Sequence, residues 1–111
     1  LLFYRPGVQK QTLRKLRRGQ FNIEAELDLH GLTVELAKPA LNEFIRDCIN
    51  RGKRCVRVIH GKGLGSANKQ PVIKNKVNIW LQKMNKVLAF CSARQVDGGT
   101  GAIYLLLKHN R

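Results

Sequence analysis

The hydrophobic and polar positions along this chain alternate between the two-residue period of strands and the 3.6-residue period of helices. Short apolar segments rich in β-branched residues predict four strands, at residues 25–30, 54–60, 87–93 and 102–108. Between the first three strands, apolar residues recur every three or four positions, which predicts two helices. The predicted order of elements is therefore β-α-β-α-β-β.

The first helix is predicted to begin after Thr33, whose hydroxyl can cap the first N–H groups, and to end before Gly52. Pro39 interrupts the pattern, because it lacks an N–H and crowds the preceding turn, so we expect a kink or a late start of regular helix there. Pro71 fits near the start of the second helix. The apolar face of the second helix comprises Ile73, Val77, Trp80, Leu81 and Met84.

The two crossover helices predict parallel pairing among the first three strands. The fourth strand follows a short glycine-rich turn, "DGGTG" at 97–101, and is therefore predicted to be antiparallel to the third. The result is an α/β fold, a two-layer sandwich with about four strands in a mixed sheet and two helices. A length of 111 residues suits one compact domain.

Residues 1–24 differ from the rest, which divides the chain into a basic N-terminal arm (1–24) and a domain (25–111). The arm carries six Lys and Arg residues, and Glu24 is its only acid. Val8, Leu13 and Leu16 could give a short helix a weak apolar edge that ends at Gly19. The arm could lie on the domain or on a ligand, and a solvated, flexible lead-in is an equal alternative. Because the chain begins with Leu rather than Met, we expect a piece of a longer protein.

The charge predicts a polyanionic partner. Twenty-one Lys and Arg residues stand against seven Asp and Glu, a net charge of +14, and such an excess most often serves nucleic acid. A merely soluble cationic surface is the alternative. No apolar run approaches the roughly 18 residues of a membrane helix, and no secretory signal is evident. We therefore expect a cytoplasmic monomer without a membrane partner. Three cysteines without CxxC spacing favour buried thiols over disulfides or a zinc site.

The segment "LDLHGL", residues 27–32, carries more polar chemistry than a buried strand needs. Alternation along the strand places Asp28 and His30 on the same face, roughly 6–7 Å apart, at its carboxyl end, where open α/β sheets bind ligands. His60 ends the second strand, and Gly61 follows it as Gly31 follows His30. We expect both histidines to face one cleft.

These residue types suit phosphodiester hydrolysis. A histidine near neutral pKa can move a proton, and a nearby carboxylate can fix its tautomer. The glycine-rich loop "HGKGLGS", residues 60–66, could bring backbone N–H groups and a lysine close to phosphate. Asp28 could instead merely hold a turn, and His30 could be a structural histidine. The predicted phosphate cradle consists of Gly31, Gly61, Lys62, Gly63, Gly65 and Ser66.

Further backbone contacts are predicted from Arg17, Arg18, Lys74 and Lys76, with ordinary solvated surface as the alternative. A divalent metal, Mg or Mn, is conceivable, but Asp28, His30 and His60 do not form the dense carboxylate cluster of a two-metal site. No cofactor is firmly implied, and we expect a metal-independent or weakly metal-assisted site.

Three segments, "LDLHGLT", "VIHGKGLGS" and "DGGTGAIYLLL", resemble the Smr (small MutS-related) domain over roughly residues 25–108. The basic arm further resembles stand-alone proteobacterial Smr proteins rather than the domain fused to a MutS paralogue. The resemblance implies a fold similar to the C-terminal domain of translation initiation factor 3. It also implies an endonuclease that nicks DNA with little sequence preference or, in some members, cleaves messenger RNA at stalled ribosomes.

Carried over by motif, Asp28 and His30 would be catalytic and the "HGKG" segment at 60–63 would bind phosphate. His60 completes the predicted catalytic set. Pro39, where the family would have an ordinary helix former, questions local geometry rather than activity. A module that binds nucleic acid without cleaving it is the remaining alternative.

Overall fold

The computed structural model describes residues 1–62 and 72–109. Its elements, in chain order, are β1 (Leu2–Tyr4), α1 (Lys10–Arg17), β2 (Glu26–Asp28), α2 (Val34–Asn50), β3 (Cys55–Ile59), α3 (Val72–Gln82), β4 (Val87–Ser92) and β5 (Ala102–Leu107). Short 3-10 turns at Gln95–Asp97 and Gly99–Gly101 connect β4 to β5. The strands form one sheet in the order β1-β4-β5-β3-β2.

The predicted α/β class is confirmed, but one predicted pairing is wrong. β2 pairs parallel with β3 as expected, whereas β5 lies between β3 and β4 and is antiparallel to both. β3 and β4 therefore run in the same direction without touching. The burial of β5 explains its place: all six of its residues are buried, which fits a central strand covered on both faces rather than an edge.

Residues 1–24 add a strand and a helix that the predicted four-stranded, two-layer sandwich lacks. β1 pairs antiparallel with β4 at the sheet edge. α1 buries Leu16 against Cys55, Cys91 and Tyr104, on the face opposite to α2 and α3. The sandwich is therefore corrected to three layers with five strands and three helices among the described residues. The physical reason is that β5 is apolar on both faces, so its second face also needs a cover.

A kink or a late start of regular helix was expected at Pro39; helix α2 begins at Val34, so the late start is wrong. The Thr33 hydroxyl oxygen accepts a hydrogen bond from the Leu36 N–H at 3.3 Å, and Glu35 lies in the first turn. Pro39 is exposed, and the helix continues through it to Asn50. Tertiary burial of the opposite face outweighs the lost backbone bond. That face comprises Ala37, Leu41, Ile45, Cys48 and Ile49.

Helix α3 buries Val77 and Leu81 on the same side of the sheet as α2. Pro71, predicted near its start, lies outside the described residues. The cysteines are buried free thiols, as expected from their spacing. None of the described helices has the length and apolar character that a membrane crossing requires.

Candidate active site

The "LDLHGL" segment folds as a sharp turn that follows β2. Leu29 is fully buried, and its N–H donates to the Ile59 carbonyl, which fixes the chain against β3. The Leu32 N–H donates back to the Leu29 carbonyl at 3.1 Å, and Gly31 has φ +80°, as the third position of a type II turn requires. His30 therefore occupies the corner of the turn, with 69% of its side chain exposed.

Asp28 and His30 form a hydrogen-bonded couple. One carboxylate oxygen, Asp28 Oδ1, accepts from the His30 backbone N–H at 3.0 Å and lies 2.6 Å from His30 Nδ1. The hydrogen bond from the His30 side chain, followed by that from its backbone N–H, lowers the pKa of Asp28. An ionised carboxylate can only accept, so Nδ1 carries the hydrogen and Nε2 of the neutral ring is left as an acceptor.

This geometry refines the predicted one. The strand predicted over residues 25–30 ends at Asp28, and His30 lies in the turn rather than two rises further along the same strand face. The ring folds back onto the carboxylate, so the two side chains are in contact instead of roughly 6–7 Å apart. Asp28 also holds the turn through the His30 N–H, which is the alternative role considered from the sequence.

The "HGKG" segment begins beside this couple. The backbone N–H groups of His60 and Gly61 both donate to the Gly101 carbonyl at 3.0 Å. Gly61 has φ +86°, and a Cβ placed on it would lie 3.2 Å from the Cβ of His30. A Cβ on Gly101 would lie 3.0 Å from Lys62 Cγ. The three glycine-containing segments that carry the family resemblance thus converge at one end of the sheet, where β2 and β3 end and β5 begins.

His60 is placed differently from His30. Its ring is only 4% exposed, because the alternation of β3 directs it to the same side as Val56 and Val58, into the core beneath α2 and α3. Nδ1 lies 2.8 Å from the Gly61 carbonyl, and burial, reinforced by the charge of Lys74, lowers the pKa of His60. His60 is therefore buried and does not face solvent beside His30 as expected, and its catalytic role stays a prediction.

The remaining predicted contacts are spread over the molecule. Lys62 is exposed beside Gly101, and Lys74 lies in the first turn of α3 near His60. Lys76 lies in a groove with Lys38 between α2 and α3. Arg17 and Arg18 are exposed at the end of α1, which packs over β4 and β5 on the sheet face opposite to α2 and α3. Gly63, Gly65 and Ser66 lie outside the described residues.

A polar network behind the site was not predicted from the sequence. Arg57 of β3 donates through Nε to Glu26 of β2 at 2.9 Å and through Nη1 to the Asp97 carboxylate at 3.3 Å. The Tyr104 hydroxyl donates to the other oxygen of Asp97 and, with the charges of Arg94 and Arg57, lowers the pKa of that carboxyl. The network anchors the 97–101 turn that supports Lys62. Its only sequence signal was an acid at the start of "DGGTG".

Candidate metal ligands are sparse here. Within residues 1–62 and 72–109, no three His, Cys, Asp or Glu side chains are grouped as a metal site would require. Asp28 and His30 could supply two ligands, so Mg or Mn would depend on water and substrate phosphate for the others. The possible divalent metal stays a prediction.

A family model of the Smr domain matches residues 27–108, which contain all three converging segments. This chain belongs to the Smr domain family. The ribosome rescue factor SmrB of Yersinia pseudotuberculosis is 39% identical over 106 residues, 96% of this chain and 57% of the relative. The probable DNA endonuclease SmrA of Escherichia coli is 35% identical over 108 residues, 97% of this chain and 58% of the relative. This Smr chain therefore spans little more than half the length of these curated relatives.

Solved structures agree with the fold of this Smr chain. YdaL, a stand-alone small MutS-related protein from Escherichia coli, superposes with a TM-score of 0.85 at 35% identity, covering 97% of this chain and 82% of YdaL. The Smr domain of Thermus thermophilus MutS2 gives a TM-score of 0.67 at 27% identity, covering 76% of this chain and 98% of the domain. The resemblance to stand-alone proteobacterial Smr proteins is thus confirmed, and it includes the N-terminal arm.

Proposed function

We propose that this Smr domain is an endonuclease in which His30 is the general base and Asp28 orients it. The observation that carries the proposal is the exposed imidazole at the corner of the 29–32 turn. Its Nδ1 is held by Asp28, which leaves Nε2 available to a substrate. Gly61, whose N–H is taken by the Gly101 carbonyl, lies against His30, and the exposed Lys62 that follows it could hold the phosphate through its ammonium group.

The chemistry follows from that geometry. On RNA, Nε2 of His30 takes the proton of the ribose 2′-hydroxyl, the 2′-oxygen attacks phosphorus, and the bond from phosphorus to the 5′-oxygen breaks. The leaving oxygen then takes a proton from water, and the charged imidazole returns its proton to the hydroxide that is left. On DNA, Nε2 takes a proton from a water molecule, whose oxygen attacks phosphorus while one bond from phosphorus to a sugar oxygen breaks. That sugar oxygen takes a proton from a second water, and the imidazole again returns its proton to the hydroxide. In both cases Asp28 stabilises the charged imidazole and Lys62 balances phosphate charge.

RNA is the substrate we propose first. The 2′-hydroxyl is already next to the scissile phosphate, so the acid–base demand on the protein is small, which suits a site built around one exposed His–Asp couple. The SmrB relatives, named as ribosome rescue factors, support a ribosome-associated RNA substrate. DNA nicking, the first expectation from the sequence, is the second candidate and is supported by the name of the SmrA relative.

The decisive experiment compares His30→Ala with His109→Ala. Both remove an exposed imidazole, but His109 lies after β5 and bonds to Arg54 rather than to the site. We expect His30→Ala to cleave about 10²- to 10⁴-fold more slowly, because a general base contributes that much, whereas His109→Ala should match the wild type. Salt-sensitive binding should survive in both variants.

Substrates and metals are varied in the same assay. Single-stranded RNA, collided ribosomes and supercoiled plasmid are digested side by side, with chelator and with Mg or Mn. Equal cleavage by His30→Ala and wild type would remove the assignment of His30. Tight binding by the wild type with no cleavage of any substrate would leave only the non-catalytic binding module.

A further inference from the structure

A groove of about 650 Å³ lies between β1 and α1, on the sheet face opposite to α2 and α3. The groove is formed by residues of the basic arm, none of which belongs to the Asp28–His30 site. Leu2 and Tyr4 form its floor on β1, because alternation along the strand directs Phe3 to the other face, against Phe90. The helical wall consists of Lys10, Leu13, Arg14, Arg17 and Arg18.

The groove has a strong and uniform charge. Four of its seven lining residues are Lys or Arg, and none is acidic. In the described part of the chain, none of these four cations forms an ion pair with a carboxylate; the pairs involve other residues. Like charges crowded on one short helix repel each other, so a polyanion lying along the groove would be stabilised by all of them.

The apolar residues of the groove indicate which polyanion fits. Tyr4 is 51% exposed and Leu2 is 44% exposed, beside the cations rather than in the core. An exposed aromatic ring next to a basic track is the combination that binds single strands, since unpaired bases stack on the ring while phosphates contact the cations. In a duplex the bases are paired and stacked on each other, so they are not available to stack on Tyr4.

The position of the groove relates it to the proposed cleavage site. β1 and β2 are the two edge strands, four inter-strand steps apart. At about 4.8 Å a step, β1 and β2 are roughly 19 Å apart across the sheet, and α1, which packs over β4 and β5, extends the groove towards the Asp28–His30 couple. A single strand several nucleotides long could therefore reach both.

We propose that the β1–α1 groove binds single-stranded nucleic acid through Tyr4 and the cations of α1, as a second contact several nucleotides from the cleavage site. The strand-binding part stands on the groove alone. The statement that the bound strand is the substrate rests on the function proposed above.

The test measures binding of labelled 12-nucleotide oligouridylate and oligothymidylate by fluorescence anisotropy at several salt concentrations. Every protein carries His30→Ala, so probe cleavage does not interfere and the result does not depend on whether His30 is catalytic. The groove variant removes three charges by Arg14→Gln, Arg17→Gln and Arg18→Gln. The matched control removes three exposed charges near α2 and α3 by Arg46→Gln, Lys83→Gln and Lys86→Gln.

We expect the groove variant to flatten the slope of log Kd against log salt by about two, since each single-strand phosphate contact contributes roughly 0.7. The control should keep the wild-type slope. Tyr4→Ala should raise Kd about tenfold, whereas Tyr4→Phe, which keeps the ring, should bind as the wild type does. The Tyr4 pair leaves α1 intact and decides the question if the triple groove variant fails to fold. Comparison of the two oligonucleotides separates RNA from DNA as the ligand.

Three outcomes would overturn the proposal. Equal losses in the groove and control variants would mean that binding follows diffuse charge. Unchanged binding by both the groove variant and Tyr4→Ala would mean that the groove is not used. The third outcome is that the groove variant binds phosphatidylserine vesicles more weakly than the wild type but binds the oligonucleotides equally well. That result would assign the groove to a membrane surface. None of these results depends on cleavage, so each is distinguishable from failure of the proposed nuclease.

Discussion

Gly61 offers a direct test of whether the "HGKG" segment positions the His30 imidazole. A methyl group added at Gly61 would lie 3.2 Å from the Cβ of His30, on a backbone with φ +86°. Gly52 provides the matched control, because it has φ +72° but no atom within 4 Å of its would-be Cβ. The two alanine variants therefore share the backbone strain and differ in the contact with His30.

The expected magnitudes follow from that difference. An L-residue in the left-handed region costs about 1–2 kcal/mol, so Gly61→Ala and Gly52→Ala should lose similar stability. Only Gly61→Ala must also displace His30, by a few tenths of an ångström. A misplacement of about 1 Å costs about 10²-fold in rate. We therefore expect Gly61→Ala to cleave about tenfold more slowly than the wild type and Gly52→Ala to cleave at the wild-type rate.

Single-turnover cleavage, corrected for the folded fraction measured by circular dichroism, checks this expectation. The imidazole resonances of His30 provide a second readout that does not require activity: they should shift in Gly61→Ala and stay in place in Gly52→Ala. Equal cleavage rates and unshifted resonances in the two variants would refute the contact between the motifs.

Two further predictions concern stability and thiol chemistry. The Glu24 carboxylate accepts a hydrogen bond from the Arg54 N–H at 2.7 Å, and this bond is the main reason why the pKa of Glu24 is lowered from 4.5. The ionised carboxylate therefore stabilises the folded protein above about pH 4.5, and this stabilisation is lost as the pH falls. Glu24→Gln should destabilise the protein at pH 7 but not at pH 3 in urea unfolding; an equal loss at both would contradict the ionic contribution. Burial raises the pKa of Cys55 to about 12 and that of Cys91 to about 11. Native protein should therefore resist iodoacetamide at pH 8 while the unfolded chain takes up three equivalents, and rapid native labelling would show that these thiols are accessible.

Much of the candidate site could be predicted because its central piece is local. Asp28 and His30 are two residues apart, and the turn that joins them depends on Gly31 and on apolar neighbours in the same six-residue segment. The short spacing along the chain keeps Asp28 and His30 close together wherever their segment is placed in the fold. The same holds for α2, whose cap at Thr33 and apolar period predicted its bounds despite Pro39.

The orientation of His60 could not be predicted in that way. The sequence showed that His60 follows β3. It did not show whether its side chain points to the sheet face covered by helices or to the other face. The sheet face beneath α2 and α3 receives His60, so its ring is buried and Nδ1 lies beside the Gly61 carbonyl instead of being open to solvent. The two-residue period of a strand predicts which residues share a face, but it does not predict which face the helices cover.

The sequence by itself determined helices α2 and α3, the basic character of the arm and the closeness of Asp28 to His30, because each follows from a pattern within one short segment, and the order of those segments determined the α/β class. Tertiary structure alone decided that β5 separates β3 from β4, that β1 completes the sheet, and that Gly61 contacts His30. These decisions rest on pairings between residues 30 to 90 positions apart along the chain. Such pairings are chosen by the burial of whole strand faces, which no local pattern records.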